Sequence, residues 1–178
     1  MNKILIESDR IYLRQLDLND NLTAYLSWVN DKEATTFMEI RNKHFSSDDL
    51  RSYIKSHLDL KNYLCGIFEK TNDLHIGNVL LSDIDDSNKN GVIGIFIGKK
   101  YWGKGFGTEA VNLMCEYGFD TLKLYKIIAG VVEKNHGSAK LFSKAGFALE
   151  GIKKEEFNMD GKFLNTLYYG KIKKQWKY

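Results

Sequence analysis

An apolar strand pattern over residues 91–98 runs through a short basic stretch into Gly103-Lys104-Gly105-Phe106-Gly107-Thr108, and an amphipathic helical pattern follows. Glycine at every second position lets the backbone turn tightly and expose successive N–H groups. The start of a helix adds free amides and a partial positive charge. Together these make an anion site suited to a pyrophosphate. Spacing narrows the choice of anion. A P-loop needs Gly-Lys-Ser/Thr, whereas here Lys104 precedes Gly105. A dinucleotide fingerprint needs G-x-G-x-x-G on the first strand of a βαβ unit; here the spacing is G-x-G-x-G. A glycine-rich turn with no ligand is the plain alternative. The strand before, the helix after and the basic surroundings weigh against it.

The rest of the chain supplies a scaffold for that loop. Residues 10–16 alternate, with Ile11, Leu13 and Leu16 facing inward. Asp17 is placed as the cap of a helix carrying Leu22, Tyr25, Leu26, Trp28 and Val29 on one side. Ser47 is placed as the N-cap of a second helix, with Leu50, Tyr53, Ile54 and Leu58 on its apolar face. Three strand patterns, 63–70, 75–84 and 91–98, are separated by TND and DDSNKN and form an antiparallel meander. After Gly107 come a helix with Ala110, Leu113, Met114, Tyr117 and Phe119, and a strand at 124–132. A helix then begins at Asn135 and ends at Gly146, a C′ glycine. A strand pair around Met159-Asp160-Gly161 closes the chain. This order, β-α-α-β-β-β-α-β-α-β-β, predicts an α/β (α+β) fold: a mixed, mostly antiparallel sheet of six to seven strands with helices on both faces. Without linkers, repeats or prolines, residues 1–178 are expected to form a single domain.

Charge is split along the chain. Residues 1–88 carry 10 basic and 15 acidic residues, a net of −5; residues 89–178 carry 16 lysines and 8 acidic residues, a net of +8. The basic half suits a phosphorylated cofactor or a nucleic acid. Arginine, the usual fork for phosphates and bases, is absent after Arg51, and no basic run is interleaved with aromatics. Nucleic acid is therefore not expected as a partner. No apolar run spans a bilayer or reads as a secretory signal. Cys65 and Cys115 lack zinc-site spacing and are expected to be reduced, buried thiols in a cytoplasmic protein with no metal.

The segment Trp102-Gly103-Lys104-Gly105-Phe106-Gly107-Thr108-Glu109-Ala110 resembles the acyl-CoA pyrophosphate loop of the GCN5-related N-acetyltransferases (GNAT), and is most similar to the RimJ/RimL branch. Trp102 departs from the general GNAT pattern, Gln/Arg-x-x-Gly-x-Gly/Ala, but matches that branch. A second match is Asn135-x-x-Ser138-x-x-Leu141-Phe142-x-x-x-Gly146-Phe147. The resemblance runs from about residue 10 to 173 and implies a fold in which the strand before the loop splays from its parallel neighbour. It also implies acetyl-CoA as co-substrate. Ile95, Phe96 and Ile97 would meet the pantetheine arm, with Trp102 to Thr108 on the phosphates and Asn135, Ser138 and Phe142 beside them. A backbone N–H of that strand would polarise the thioester carbonyl. Gly94 is expected to form a bulge or a close approach.

The resemblance also raises the question of proton transfer. Many GNAT members place a tyrosine where this chain has Phe142, which cannot donate. Ser138, four residues earlier, carries the nearest hydroxyl and is expected as the acid; Asn135 is either a helix cap or a contact to CoA. Glu39, Glu133 and His136 are the base candidates, with His136 better read as a surface residue. Residues 25–41 are similar to GNAT enzymes acting on nucleotide-linked amino sugars. On that reading Trp28, Glu39 and Arg41 bind the acceptor, with Arg41 on a phosphate. A protein N-terminus is the competing acceptor. A non-catalytic acyl-CoA-binding module is the alternative to an enzyme, and a homodimer is compatible.

Overall fold

A computed structural model describes residues 3–58 and 62–174. In chain order it contains β1 (Ile4–Glu7), β2 (Ile11–Gln15), α1 (Thr23–Val29), α2 (Ser47–Ser56), β3 (Tyr63–Glu69), β4 (Leu74–Asp85), β5 (Asn90–Ile97), α3 (Phe106–Glu116), β6 (Lys126–Val132), α4 (His136–Lys144), β7 (Ala148–Met159) and β8 (Lys162–Ile172). The sheet has 8 strands in the order β1-β2-β3-β4-β5-β6-β8-β7. Every neighbouring pair is antiparallel except β5–β6. The expected strands all form, and β1 adds one more at the edge.

Each face of the sheet carries its own core. Alternation sends Ile11, Leu13, Ile67, Val79 and Leu81 to one side, where they meet Val111 and Met114 of α3 and Phe142 of α4. The other face buries Leu16, Leu64 and Phe68 under Tyr25, Trp28, Leu50 and Ile54 of α1 and α2. Fully buried side chains such as Ile67 and Met114 each contribute about 1.5–3 kcal/mol. Cys65 and Cys115 are free and buried, and burial pushes both thiols up to about 12.

Two capping expectations are corrected. Asp17 does not cap α1, which starts at Thr23 without a side-chain cap. Instead residues 17–20 turn so that Asp20 takes Arg14 in two bonds of 2.7 and 2.9 Å. The cap of α2 is Ser46, one residue before Ser47. Its hydroxyl accepts from Asp49 N–H, and the Asp49 carboxylate accepts from Ser46 N–H, a reciprocal capping box. On that helix Leu50 and Ile54 are buried and Tyr53 is exposed, while Leu58, expected on the same face, lies exposed beyond the helix end. Gly94 forms no bulge: it pairs with Leu80 in regular register, and the space its missing side chain leaves is open, with nothing within 4 Å of a Cβ there. The Asp160-Gly161 turn has φ of 52° and 86°, the paired left-handed geometry that two-residue hairpins favour.

His75 of β4 lies within an aromatic cage of Tyr25, Trp28 and Phe68, with its ring 4.8 Å from that of Phe68. Nε2 is 2.8 Å from the Asn78 side-chain oxygen. Burial lowers its pKa from the ordinary 6.5. Below that value the unfolded chain takes a proton that folded His75 resists, so stability falls as pH drops. A melting-temperature series from about pH 8 to pH 5 should therefore fall more steeply for the wild type than for His75→Gln. Parallel slopes would contradict this.

Candidate active site

The parallel pair β5–β6 is short. Its register runs Asn90↔Lys126, Gly91↔Ile127 and Val92↔Ile128, and stops there. Beyond Val92 the strands part, and two cavities open along the gap. The larger, about 700 Å³, lies between the end of β5, the glycine loop and the start of α4. The smaller, about 500 Å³, is bounded by the parted strands, the α1–α2 loop and the β7–β8 hairpin. Phe37, Met38, Ile95, Asn135 and Ser138 line both, so the cavities meet at these residues.

The backbone of β5 is set by its pairing with β4. Gly98 N–H donates to Ile76 O at 3.0 Å. Antiparallel alternation then directs the backbone groups of Phe96 and Gly94 toward β4. The N–H and C=O groups of Ile95 and Ile97 therefore face the gap. The Ile97 carbonyl is occupied: Trp102 Nε1 donates to it at 2.7 Å. That bond folds the exposed Trp102 ring back against the strand end.

The loop itself has the geometry its glycines allow. Gly103 and Gly105 sit at φ of 74° and 87°, in the left-handed region. Gly105 is the N-cap of α3, and the first bond across its N-terminus runs from Glu109 N–H to Gly105 O. The N–H groups of Phe106, Gly107 and Thr108 precede that ladder. At Gly107 a Cβ would lie 2.6 Å from Leu141 Cδ1, so a side chain there would require the Leu141 tip to move. Arg10 braces the loop from β2's start. Its Nε donates to Glu109 at 2.8 Å, its NH1 donates to the Lys104 carbonyl at 3.2 Å, and its guanidinium lies over the Phe106 ring. Ser8 Oγ donates to the other Glu109 oxygen at 2.6 Å. Glu109 would otherwise place a bare negative charge in the first turn of a helix built to receive an anion. Lys134, His136, Lys140 and Lys144 surround the same cavity from the α4 side.

Of the residues singled out from the sequence, Ile95, Phe96, Ile97, Trp102, Gly103, Gly105, Gly107, Thr108, Asn135 and Ser138 all line the larger cavity. Phe106 is buried in the core, and Lys104 directs its amine over the Tyr101 ring. Asn135 caps α4, its side-chain oxygen accepting from Ser138 N–H at 3.1 Å. The Ser138 hydroxyl bonds to no described residue. Phe142 lines the smaller cavity, packed edge-on against Phe147. Glu39 stands on the rim of the same cavity, and no hydrogen bond or ion pair joins it to a described residue.

Three expected residues lie elsewhere. Trp28 is buried in the α1–α2 core, where a Cβ on Gly98 would touch its ring at 2.8 Å. Arg41 turns to the β7–β8 hairpin: it donates to Asn158 O at 2.7 Å and lies over the Phe157 ring. Glu133 is held by Asn165, accepting from its backbone N–H at 3.0 Å and its side-chain amide at 2.9 Å. Asn165 in turn accepts from Glu155 N–H, at a bulge where β7 slips between Lys153 and Phe157. Glu133 thus supports the hairpin from outside the cavities.

The hairpin brings in side chains that sequence reading did not single out: two from the bulged stretch of β7 and two from β8. Glu156, Phe157, Thr166 and Tyr168 all line the smaller cavity. Tyr168 stands opposite Gly130 of β6, whose missing side chain leaves the space: a Cβ there would lie 3.5 Å from Thr166 and 4.0 Å from the Tyr168 ring. Lys153 Nζ donates to Glu156 at 2.8 Å and to the Tyr168 hydroxyl at 3.0 Å, and Tyr168 donates to Glu156 at 3.1 Å. The hydrogen bond from Lys153 holds the Glu156 carboxyl below its ordinary range. The glycine inside the apolar strand 124–132 was the one local signal of this opening.

A family model described as an acetyltransferase (GNAT) domain matches residues 10–148. The probable N-acetyltransferase YjcK of Bacillus subtilis is 34% identical over 164 residues, covering 88% of this chain and 91% of that protein. A ribosomal-protein-S5-alanine acetyltransferase from Vibrio fischeri superposes with a TM-score of 0.84 at 23% identity, covering 96% and 97% of the two chains. A spermidine N-acetyltransferase from Vibrio cholerae, solved with CoA and spermine, gives 0.83 at 23% identity, covering 93% and 96%. With the parted strand pair, the glycine loop and this family match together, the chain belongs to the GNAT family of acetyltransferases.

Proposed function

We propose that residues 1–178 form one acyl-CoA N-acyltransferase domain that moves an acetyl group from acetyl-CoA to a primary amine. The observation that carries this reading is the meeting of two cavities where β5–β6 pairing stops. One is lined by amides and lysines suited to phosphates; the other opens to the opposite end of the gap. Acetyl-CoA supplies the activated acetyl group as a thioester. The amides of residues 106–108 and the lysines of α4 hold the pyrophosphate. The Ile95 backbone pairs with the pantetheine arm as an added strand would, and its N–H supports charge on the carbonyl oxygen. As the amine nitrogen bonds to the thioester carbon and the C–S bond breaks, Ser138 at the junction passes its hydroxyl proton to the departing sulfur and takes up the proton that the nitrogen loses. An acceptor α-amine has a pKa of about 7.7–8.0 and so is roughly a tenth neutral near pH 7, without a strong base.

The test is direct. The protein is incubated with acetyl-CoA and a panel of amines, and thiol release and acetylated product are measured together. Acetylated product formed only in its presence is expected. Tight CoA binding with no product from any amine would instead identify a non-catalytic acyl-CoA-binding module.

The Arg10 brace yields a further expected result. Arg10→Ala should raise the KM for acetyl-CoA about tenfold, the scale of one unneutralised charge beside a helix N-terminus. Adding Glu109→Gln to that variant should recover part of the loss. No recovery would mean that Arg10 acts only through packing on Phe106.

A further inference from the structure

The smaller cavity has a chemical character that bears on the acceptor. Tyr169 belongs to the core under α3 and α4, so its neighbour Tyr168 faces the α1–α2 side of the sheet, together with Gly130. There the Tyr168 oxygen takes a hydrogen from Lys153 and gives its own to Glu156. A phenol oxygen has two lone pairs, so one remains for a donor within the cavity. The cations nearby have partners of their own. Lys153 is held by Glu156 and Tyr168, and Arg41 by Asn158 and Asp160 through its NH2, while its buried Nε has no partner among the described residues. Glu156 is likewise held by Lys153 and Tyr168, whereas the Glu39 carboxylate on the rim has no partner among the described residues. Phe37 and Phe157 supply the apolar walls.

We propose that Tyr168, oriented by Lys153 and Glu156, seats the acceptor nitrogen, and that the acceptor is a cationic amine without phosphate. This rests on the acetyl-transfer reading and narrows its substrate. An alkyl amine, with a pKa of about 10.4, enters as the ammonium. One of its N–H groups donates to the free lone pair of Tyr168, above Gly130 and in front of the parted strands, and the nitrogen releases a proton to solvent water before it attacks the thioester. The remaining positive charge of a diamine faces Glu39, and its methylene chain lies between Phe37 and Phe157. A nucleotide-linked amino sugar would bring two phosphates to a cavity whose lysine is already paired with Glu156 and whose arginine is already ion-paired with Asp160. It would also face the unpaired Glu39 carboxylate.

The experiment uses the full chain with CoA bound and diaminobutane as the probe. Calorimetry measures its binding, and acetyl-CoA turnover is followed in parallel with diaminobutane, a nucleotide-linked amino sugar and a short peptide. Diaminobutane is expected to bind, and to have the highest kcat/KM of the three. Tyr168→Phe should weaken its binding and lower its kcat/KM about tenfold, the scale of one hydrogen bond to a charged group. The KM for acetyl-CoA should stay unchanged. Glu156→Gln should weaken diaminobutane similarly, and because Glu156 is exposed it leaves the core intact. Binding that depends on Tyr168 without any turnover would uphold the seat and sink the transfer reading. Diaminobutane that fails to bind, binding untouched by Tyr168→Phe, or better turnover of the nucleotide sugar would overturn the proposal.

Discussion

Gly105→Val is expected to weaken acetyl-CoA binding by at least about a hundredfold. Gly105 holds φ at 87°, where a β-branched residue is strained. Its Cβ would also press on Arg10 NH2 at 3.4 Å. The loop must relax toward negative φ, and that rotation takes the amides of Phe106, Gly107 and Thr108 out of alignment. Each bond from an amide to a charged phosphate contributes about 1.5–3 kcal/mol, so losing two accounts for the factor. The fold should survive, because Gly105 is exposed and outside both cores. Calorimetric titration with CoA, beside a thermal melt, reads both quantities. A folded variant with affinity within about threefold of the wild type would show that the loop does not hold the phosphates.

Ser138→Ala is expected to lower kcat by at least about tenfold, the low end of what a positioned acid supplies. Its effect on CoA affinity should be small, because the Ser138 N–H that Asn135 caps is unchanged. The hydroxyl stands where the two cavities meet and has no described partner to hold it elsewhere. Phe142, one turn along α4 from Ser138, lines only the smaller cavity. Phe142→Tyr should therefore be neutral or mildly favourable in the wild type, and should restore part of the rate lost in Ser138→Ala. A near-full kcat in Ser138→Ala would leave the serine as a helix-start residue and assign the proton to water or to the substrate amine. Single-turnover measurements would keep product release from masking either effect.

What could be read from the chain before its structure was local in character. The glycine loop, the Asn135 cap and the Gly146 terminus each depend on a few consecutive residues, and each forms as read. The strands from Ile11 onward announced themselves by period. β1, a four-residue edge strand in ILIE, is too short for periodicity to mark it. The acceptor side was the least legible part. Trp28, Glu39 and Arg41 were read from one contiguous segment, but their destinations depend on elements far away in sequence. Trp28 is covered by the end of β5, and Arg41 reaches the Asp160 turn. Glu133 sits at a strand end beside the gap, yet Asn165 across the sheet turns its carboxylate away. Tyr168 enters the cavity through the pairing of β8 with Gly130 of β6, and Glu156 lies in the stretch where β7 slips register against β8, placements that no single strand shows alone.

The central claim is that the gap between β5 and β6 receives the thioester arm, with the phosphates on the glycine loop. Hydrogen exchange read at single amides by NMR, with and without acetyl-CoA, tests it most directly. Ile95 N–H faces the open gap, and the amides of Phe106, Gly107 and Thr108 precede the α3 ladder, so all four should exchange readily in the free protein. Saturating acetyl-CoA is expected to slow these amides together. Unchanged exchange at Ile95 and the loop, with protection appearing elsewhere, would contradict the account.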